Sequence, residues 1–224
     1  MSANVVCLKW GSKYSSEYVN RLYSMVKRTL TLEHRFVCVT EDPAGLASGI
    51  EVKPIEEPEL TGWWHKITLF KRRIYDLEGP ILFLDLDLVI IGHLDRFFEH
   101  AARFCIIDDW NPRRISYNSA VFRVDIGAYS EVWDEFYQNR QEIMLRLHGD
   151  QQWLTKMLPD AVGWPKGWVK SFKIHLDCRG SIGTVPFPAE TPIVAFHGRP
   201  QPHEVKDRAW GEYKHAPWIN EYWR

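Results

Sequence analysis

Apolar positions along this chain fall into short unbroken runs separated by stretches at helical spacing. Residues 4–8 read as a strand that ends at Lys9-Trp10-Gly11. Tyr18, Val19, Leu22, Tyr23, Val26 and Leu30 then recur at three- and four-residue intervals, which predicts a helix with Ser15 or Ser16 as N-cap. A second strand, 35–40, contains Phe-Val-Cys-Val. Strand, loop, helix and strand at this spacing make a βαβ unit and imply a parallel sheet, so the loop from Lys9 to Tyr14 opens at the ligand-binding edge. Residues 41–60, rich in Pro, Gly and Glu, read as a loop, and Trp63, Ile67, Phe70 and Ile74 mark a helix face behind Thr61 as cap. Behind the Gly79-Pro80 breaker, 81–84 is a short apolar run of the kind found in strands buried on both faces.

The second half continues the alternation. A short helix is predicted over 94–102, a strand over 104–107, a turn over 111–114 and a strand over 119–124 preceded by Asn118. Val132, Trp133, Phe136 and Tyr137 start a helix running on to Leu147, which His148-Gly149 breaks, and a new helix starts at Asp150. Residues 159–167 read as a loop, 172–176 and 193–196 as late strands, and 197–203 as a loop before a Trp-rich tail. No repeat or linker divides the chain, so the expectation is one α/β domain spanning 1–224, with a mostly parallel central sheet flanked by helices.

Composition narrows the picture. With 45% hydrophobic and 25% charged residues among 224, the chain has ample material for a core. A net charge of -1 gives no global electrostatic case for nucleic acid. Cys7, Cys38, Cys105 and Cys178 are far apart, without metal-ligand spacing, and read as reduced core residues. No apolar run approaches the ~20 residues of a membrane span and the N-terminus lacks a signal-peptide pattern, so a cytoplasmic protein is expected. The 11 tryptophans exceed what composition demands. Trp63, Trp64, Trp110, Trp164, Trp168, Trp210, Trp218 and Trp223 stand near Gly, Pro and charged residues, where they serve either as packing or as exposed platforms for sugar or apolar rings.

The candidate chemistry gathers at loop-like edges. Asp85 and Asp87 follow the apolar run at 81–84, separated by one leucine. In an extended chain alternate side chains share a face, so the two carboxylates would point together and attract a hard cation; the alternative is a strand end with one capping aspartate. Asn118, Asp150-Gln151 and His197-Gly198-Arg199 fall at similar edges. Asp150 is also well placed as a helix cap. Two carboxylates and an imidazole suit Mn well and Mg less well. Gly198 permits close backbone approach and Arg199 suits a diphosphate. Lys66 either reaches a phosphate or is a solvated helix lysine. The loop with Lys9, Trp10, Gly11 and Tyr14 has room for a nucleotide base, but no G-x-G-x-x-G fingerprint is present.

Phe-Leu-Asp-Leu-Asp at 83–87, Asn-Ser-Ala-Val-Phe at 118–122, Gly-Asp-Gln at 149–151 and Phe-His-Gly at 196–198, with Trp-Trp-His-Lys at 63–66 shortly before, resemble in order and spacing the nucleotide-sugar transferases of the GT-A fold. The closest likeness is to glycosyltransferase family 8, the glycogenin-like and bacterial lipooligosaccharide galactosyltransferase group, and it covers essentially the whole chain. The resemblance implies a GT-A-like, Rossmann-like domain and Mn-dependent transfer of a sugar from a nucleoside-diphosphate sugar to a glycan or other hydroxyl acceptor, with retained configuration. It implies that Asp85, Asp87 and His197 hold the metal, that Asn118 lies near the donor sugar, and that Asp150 and Gln151 stand beside the anomeric carbon. The chain departs from the pattern where Gln201 replaces the family's lysine, with Pro202 and His203 after it, and where Asp150-Gln151-Gln152 replaces Asp-Gln-Asp.

Two other readings compete. Asp85-Leu86-Asp87-Leu88-Val89 also fits the Asp-x-Asp signature of haloacid-dehalogenase-like phosphatases, with Asp108-Asp109 as a later acidic motif. Against it, a whole βαβ unit precedes the first motif and the two motifs are too close. The other is a nucleotide-sugar binder without catalysis, supported only by Gln201.

Overall fold

The computed structural model describes residues 3–110, 116–180 and 182–224; the turn expected at 111–114 lies outside them. The strands are β1 (Ala3–Lys9), β2 (His34–Thr40), β3 (Glu51–Lys53), β4 (Pro80–Leu84), β5 (Leu88–Ile90), β6 (Phe104–Asp108), β7 (Tyr117–Asp125), β8 (Val162–Gly163), β9 (Val169–Ser171) and β10 (Ile193–Ala195). The α-helices are α1 (Ser16–Thr29), α2 (Asp95–Glu99), α3 (Ser130–Arg146), α4 (Asp150–Met157), α5 (Phe172–His175), α6 (Pro202–Val205) and α7 (Ile219–Tyr222). A 3-10 helix spans Gly62–Phe70.

Seven strands form the main sheet in the order β3-β2-β1-β4-β7-β6-β8. The pairs β1/β2, β1/β4, β2/β3 and β6/β8 are parallel, and only the pairs that β7 makes run antiparallel. The expected mostly parallel α/β architecture is therefore present. Because successive strand residues face opposite ways, each central strand feeds two cores. Val5, Cys7, Leu82, Leu84, Cys105 and Ile107 pack with α1 and the small β5-β10-β9 sheet. Val6, Ile81, Phe83, Phe104 and Ile106 face the other way, against the Gly62–Phe70 helix, α3 and α4. That two-sided burial is why 81–84 carries no polar residue.

Several local expectations are corrected. The helix with Trp63 is a 3-10 helix buried on most sides: Trp64, His65, Lys66, Ile67, Leu69 and Phe70 are all buried, whereas Trp63, near its start, is 53% exposed. Ile74 lies beyond it. Residues 41–60 include the edge strand β3. The stretch 172–176 is the one-turn helix α5, because the Ser171 hydroxyl accepts from the Ile174 N–H and ends β9. The loop after β10 gives way at Pro202 to α6, with Gln201 as its N-cap. Of the tryptophans expected near the surface, Trp64, Trp164, Trp218 and Trp223 are buried.

All four cysteines are free and buried, so added reductant should leave the melting temperature unchanged. A fall of several degrees in a thermal melt would reveal a disulfide and contradict that assignment.

Candidate functional site

The parallel strands direct their C-terminal ends to one edge, and the sequence motifs meet there. β1 delivers the loop with Trp10 and Tyr14, and β4 delivers Asp85. Because β7 runs antiparallel to β4, its first residues, including Asn118 and Ser119, arrive at the same edge. β10 pairs antiparallel with β5, and the Phe196 N–H donates to the Asp87 carbonyl at 2.9 Å, which places His197 and Gly198 beside the aspartates.

Two cavities open at this edge and share Trp63, Lys66, Asp85 and Gln151 as walls. The larger, about 810 Å³, is lined further by Ser116, His148, Gly149, Asp150, Gln152 and Thr155. The smaller, about 210 Å³, has Trp10, Lys13, Tyr14, Asp87, Asn118, His197 and Gly198 in its wall.

Asp85 and Asp87 do not share one face of an extended strand. β4 stops at Leu84 and the chain turns at Leu86-Asp87, with Leu86 driven into the core. Asp85 forms an ion pair with Lys66 at 2.8 Å. Asp87 accepts from the Tyr14 hydroxyl at 2.7 Å and the Gln201 side-chain amide at 3.4 Å. Burial, then the negative charge of Asp85, pushes the Asp87 carboxyl up to about 6, although Tyr14, Lys13 and Gln201 oppose the shift.

Lys66 is no solvated helix lysine. Its ammonium is buried and also donates to the Ser119 carbonyl and hydroxyl, each at 3.2 Å. Burial alone would lower its pKa, but Asp85, Asp150 and Asp87 together outweigh burial and raise it, so it stays charged. Asp150 does not serve as the helix cap, the alternative reading of its position. Gly149 holds the N-cap position, no side chain caps α4, and Asp150 is the first helical residue, 2% exposed. Its Oδ2 has no hydrogen-bond partner. Burial raises its pKa, with Lys66 as the main counterweight. An uncompensated buried carboxylate oxygen is costly for a purely structural residue.

Replacing Lys66 by Met would leave Asp85 and Asp150 facing each other without a cation. The expected loss of stability is about 3 kcal/mol, the low end for breaking a buried pair because the Asp85 side chain is 30% exposed. Chemical denaturation measures it, and a loss below about 0.5 kcal/mol, the scale of an exposed pair, would refute this role.

The His197 imidazole stacks on Trp110 with ring centroids 5.2 Å apart, and its Nε2 lies 2.6 Å from the Ser171 hydroxyl. Burial, reinforced by Lys173, lowers its pKa to about 4, so it is neutral at physiological pH, the form that ligates metals. The donor chemistry therefore fits a divalent cation: two carboxylates whose mutual repulsion a cation would relieve, and a neutral imidazole in the wall of the same cavity. The three side chains are not already closed on one point, and among the described residues no group of three His, Cys, Asp or Glu is.

Other expected residues lie off the cavity walls. The Lys9 ammonium is turned to Asp42 at 3.4 Å, and the Gly11 N–H donates to Glu41. The Arg199 side chain is 73% exposed, 3.6 Å from Glu204. Lys13, in the wall of the smaller cavity, and Ser119, bonded to Lys66, carry no sequence signal; Trp63, a candidate exposed platform, and Gln201, the residue in place of a lysine, both stand at this edge.

No family model matches the sequence, and no curated protein matches it. Among solved structures, the fold is that of GT-A-like glycosyltransferases. The galactosyltransferase LgtC, solved with donor and acceptor sugar analogs, superposes with a TM-score of 0.65 at 13% identity, covering 97% of this chain and 94% of LgtC. An active-site mutant of LgtC gives 0.68 at the same identity and coverage. The apo glycosyltransferase GlyE of Streptococcus pneumoniae gives 0.63 at 14% identity, covering all of this chain and 59% of GlyE.

Proposed function

We propose that residues 1–224 act as one nucleotide-diphospho-sugar transferase domain, moving a sugar from a nucleoside-diphosphate donor to a hydroxyl acceptor, with Mn bound at Asp85 and Asp87 and His197 as the third ligand. The observation that carries the reading is the meeting of Asp85, Lys66 and Asp150 where the two cavities join. The fold shared with LgtC and GlyE supports it.

In this reading the smaller cavity takes the donor and the larger takes the acceptor. A bound divalent ion supplies Lewis-acid neutralisation of the leaving diphosphate. Tyr14 and Gln201 hold Asp87 in position, and the Trp10–Tyr14 loop covers the donor. Lys66, held charged by its three acidic neighbours, fixes Asp85 in place and offsets the negative charge gathered at this edge. Asn118, whose Oδ1 accepts from the Ala120 N–H at 3.0 Å, lines the smaller cavity, where its amide nitrogen would meet the donor sugar. Asp150 and Gln151 flank the reacting carbon, where an unpartnered carboxylate oxygen stabilises positive charge developing on the sugar as the bond to phosphate breaks. Configuration is retained, as in the group the motifs resemble.

The phosphatase reading is disfavoured by Asp108, which lines neither cavity and packs against Gly163 instead. A thermal-shift screen of nucleoside diphosphates and their sugars, with and without Mn, tests the proposal. Saturation at a hundred times Kd stabilises by about 2.7 kcal/mol, so a several-degree rise requiring both nucleotide and Mn is expected. A rise with neither would contradict it.

A further inference from the structure

Trp63 stands out once the fold is known. It sits on the outward side of the Gly62–Phe70 helix, 53% exposed, in the wall shared by both cavities. Its indole is nevertheless fixed: Nε1–H donates to the His148 carbonyl at 3.1 Å, across 85 residues of sequence. Gly149 follows immediately. A Cβ at 149 would lie 2.3 Å from the indole Nε1 and 2.7 Å from Cδ1. The Gly149 backbone is extended, with φ 172°, so its conformation does not demand glycine. The space that Trp63 occupies does. A large aromatic face is thus exposed to solvent and held rigidly at the mouth of the larger cavity, by a contact that tolerates no side chain at 149.

Among the described residues that line this cavity, the one lysine is Lys66, and it is committed to Asp85 and Ser119. Ser116, Gln151 and Gln152 add hydroxyl and amide groups to the wall; the Ser116 hydroxyl donates to Asp109 at 2.6 Å and the Gln152 oxygen accepts from the His148 N–H at 2.8 Å, which leaves the Ser116 lone pairs and the Gln152 amide nitrogen for a ligand. A rigid aromatic face beside uncharged polar groups suits a ring with one apolar C–H face and hydroxyls around its edge. A phosphorylated or otherwise anionic group would find no uncommitted cation among them.

We infer that Trp63 is the stacking platform for a pyranose ring of the acceptor, and that Gly149 is a positioning residue whose missing side chain lets the indole take that place. The inference rests on the transferase reading for the word acceptor, not for the sugar contact itself. Trp63 is a specificity determinant in this role, while Asp150, one residue after Gly149, carries the chemistry in the proposed transfer.

The test uses the full chain with ¹⁵N-labelled tryptophan indoles and titrates methyl pyranosides of glucose and galactose, with sorbitol, a polyol lacking a ring face, as control. The Trp63 signal is assigned from its loss in Trp63→Phe. A saturable shift of that signal with a pyranoside and none with sorbitol is expected. Affinity should fall about tenfold in Trp63→Ala and comparably in Gly149→Ala, which displaces the indole. Trp63→Phe should recover most of it. Should Gly149→Ala fail to fold, Trp63→Ala decides alone, since its side chain is largely outside the core. A Trp63 signal unmoved by both pyranosides, or moved equally by sorbitol, overturns the platform. Donor hydrolysis measured separately with Mn keeps the two readings apart: hydrolysis without a sugar shift at Trp63 removes the platform only, while a sugar shift without donor binding or hydrolysis removes the transferase reading and leaves the sugar contact standing.

Discussion

Asp150→Asn is expected to yield a folded protein that binds donor in Mn and transfers sugar at least about a hundredfold more slowly than wild type. Asparagine keeps the shape of the side chain and its position at the first turn of α4, and it removes only the charge. Stability should not fall. Asp150 is 2% exposed, its Oδ2 has no hydrogen-bond partner, and burial raises its pKa, so ionising it costs the folded state free energy. Lys66 keeps its ion pair with Asp85 in the variant. A melting temperature equal to or above wild type, together with a collapsed rate, separates a reactive carboxylate from a structural one. Wild-type turnover in this variant would remove Asp150 from the chemistry.

Asp87→Ala should abolish the rise in melting temperature that Mn plus nucleotide produces, with far less effect on the protein alone. Asp85 and His197 on their own are a poor divalent site, and Asp85 is already engaged by Lys66. The pH dependence follows from the raised Asp87 pKa of about 6 against an ordinary value of 3.8. A proton bound more tightly by the folded state stabilises it fully below 3.8, and that contribution is lost as pH rises through about 6. Without metal, Asp87→Asn should therefore be more stable than wild type at neutral pH, and the difference should shrink toward pH 4. Mn competes with the same proton, so its affinity for wild type should weaken as pH falls below about 6. Isothermal titration across this range measures it; a flat profile, or Mn binding retained in Asp87→Ala, would rule out Asp87 as ligand.

Much of this architecture was legible beforehand, for identifiable reasons. β1, α1, β2 and β4 are long or strongly periodic, and their apolar residues pack as the spacing implied. The site's location followed from strand direction, since carboxylates after a central parallel strand must lie at its C-terminal edge. Short elements escaped: β3, β5 and β9 have three residues each, too few to show a period. Over the nine residues from Gly62 to Phe70, a three-residue repeat and a 3.6-residue repeat nearly coincide, which hid the 3-10 geometry, whereas the exposure expected of Trp63 is present. Side-chain direction was the other blind spot. Lys9 and Arg199 stand next to site residues in sequence, yet Asp42 and Glu204 draw them elsewhere. Of the two readings of Lys66, the solvated helix lysine fails: the side chain is buried because Asp85 and Ser119 satisfy it. Those partners lie 19 and 53 residues away, and no local pattern encodes them.

The most direct test of the central claim is release of nucleoside diphosphate from a panel of nucleoside-diphosphate sugars, followed with Mn and again with a chelator, beside an aryl phosphate. Metal-dependent release from at least one sugar nucleotide, abolished in Asp87→Ala and reduced at least about a hundredfold in Asp150→Asn, with the aryl phosphate untouched, is the predicted result. Cleavage of the aryl phosphate with every sugar nucleotide intact would contradict it and restore the phosphatase reading of Asp85 and Asp87.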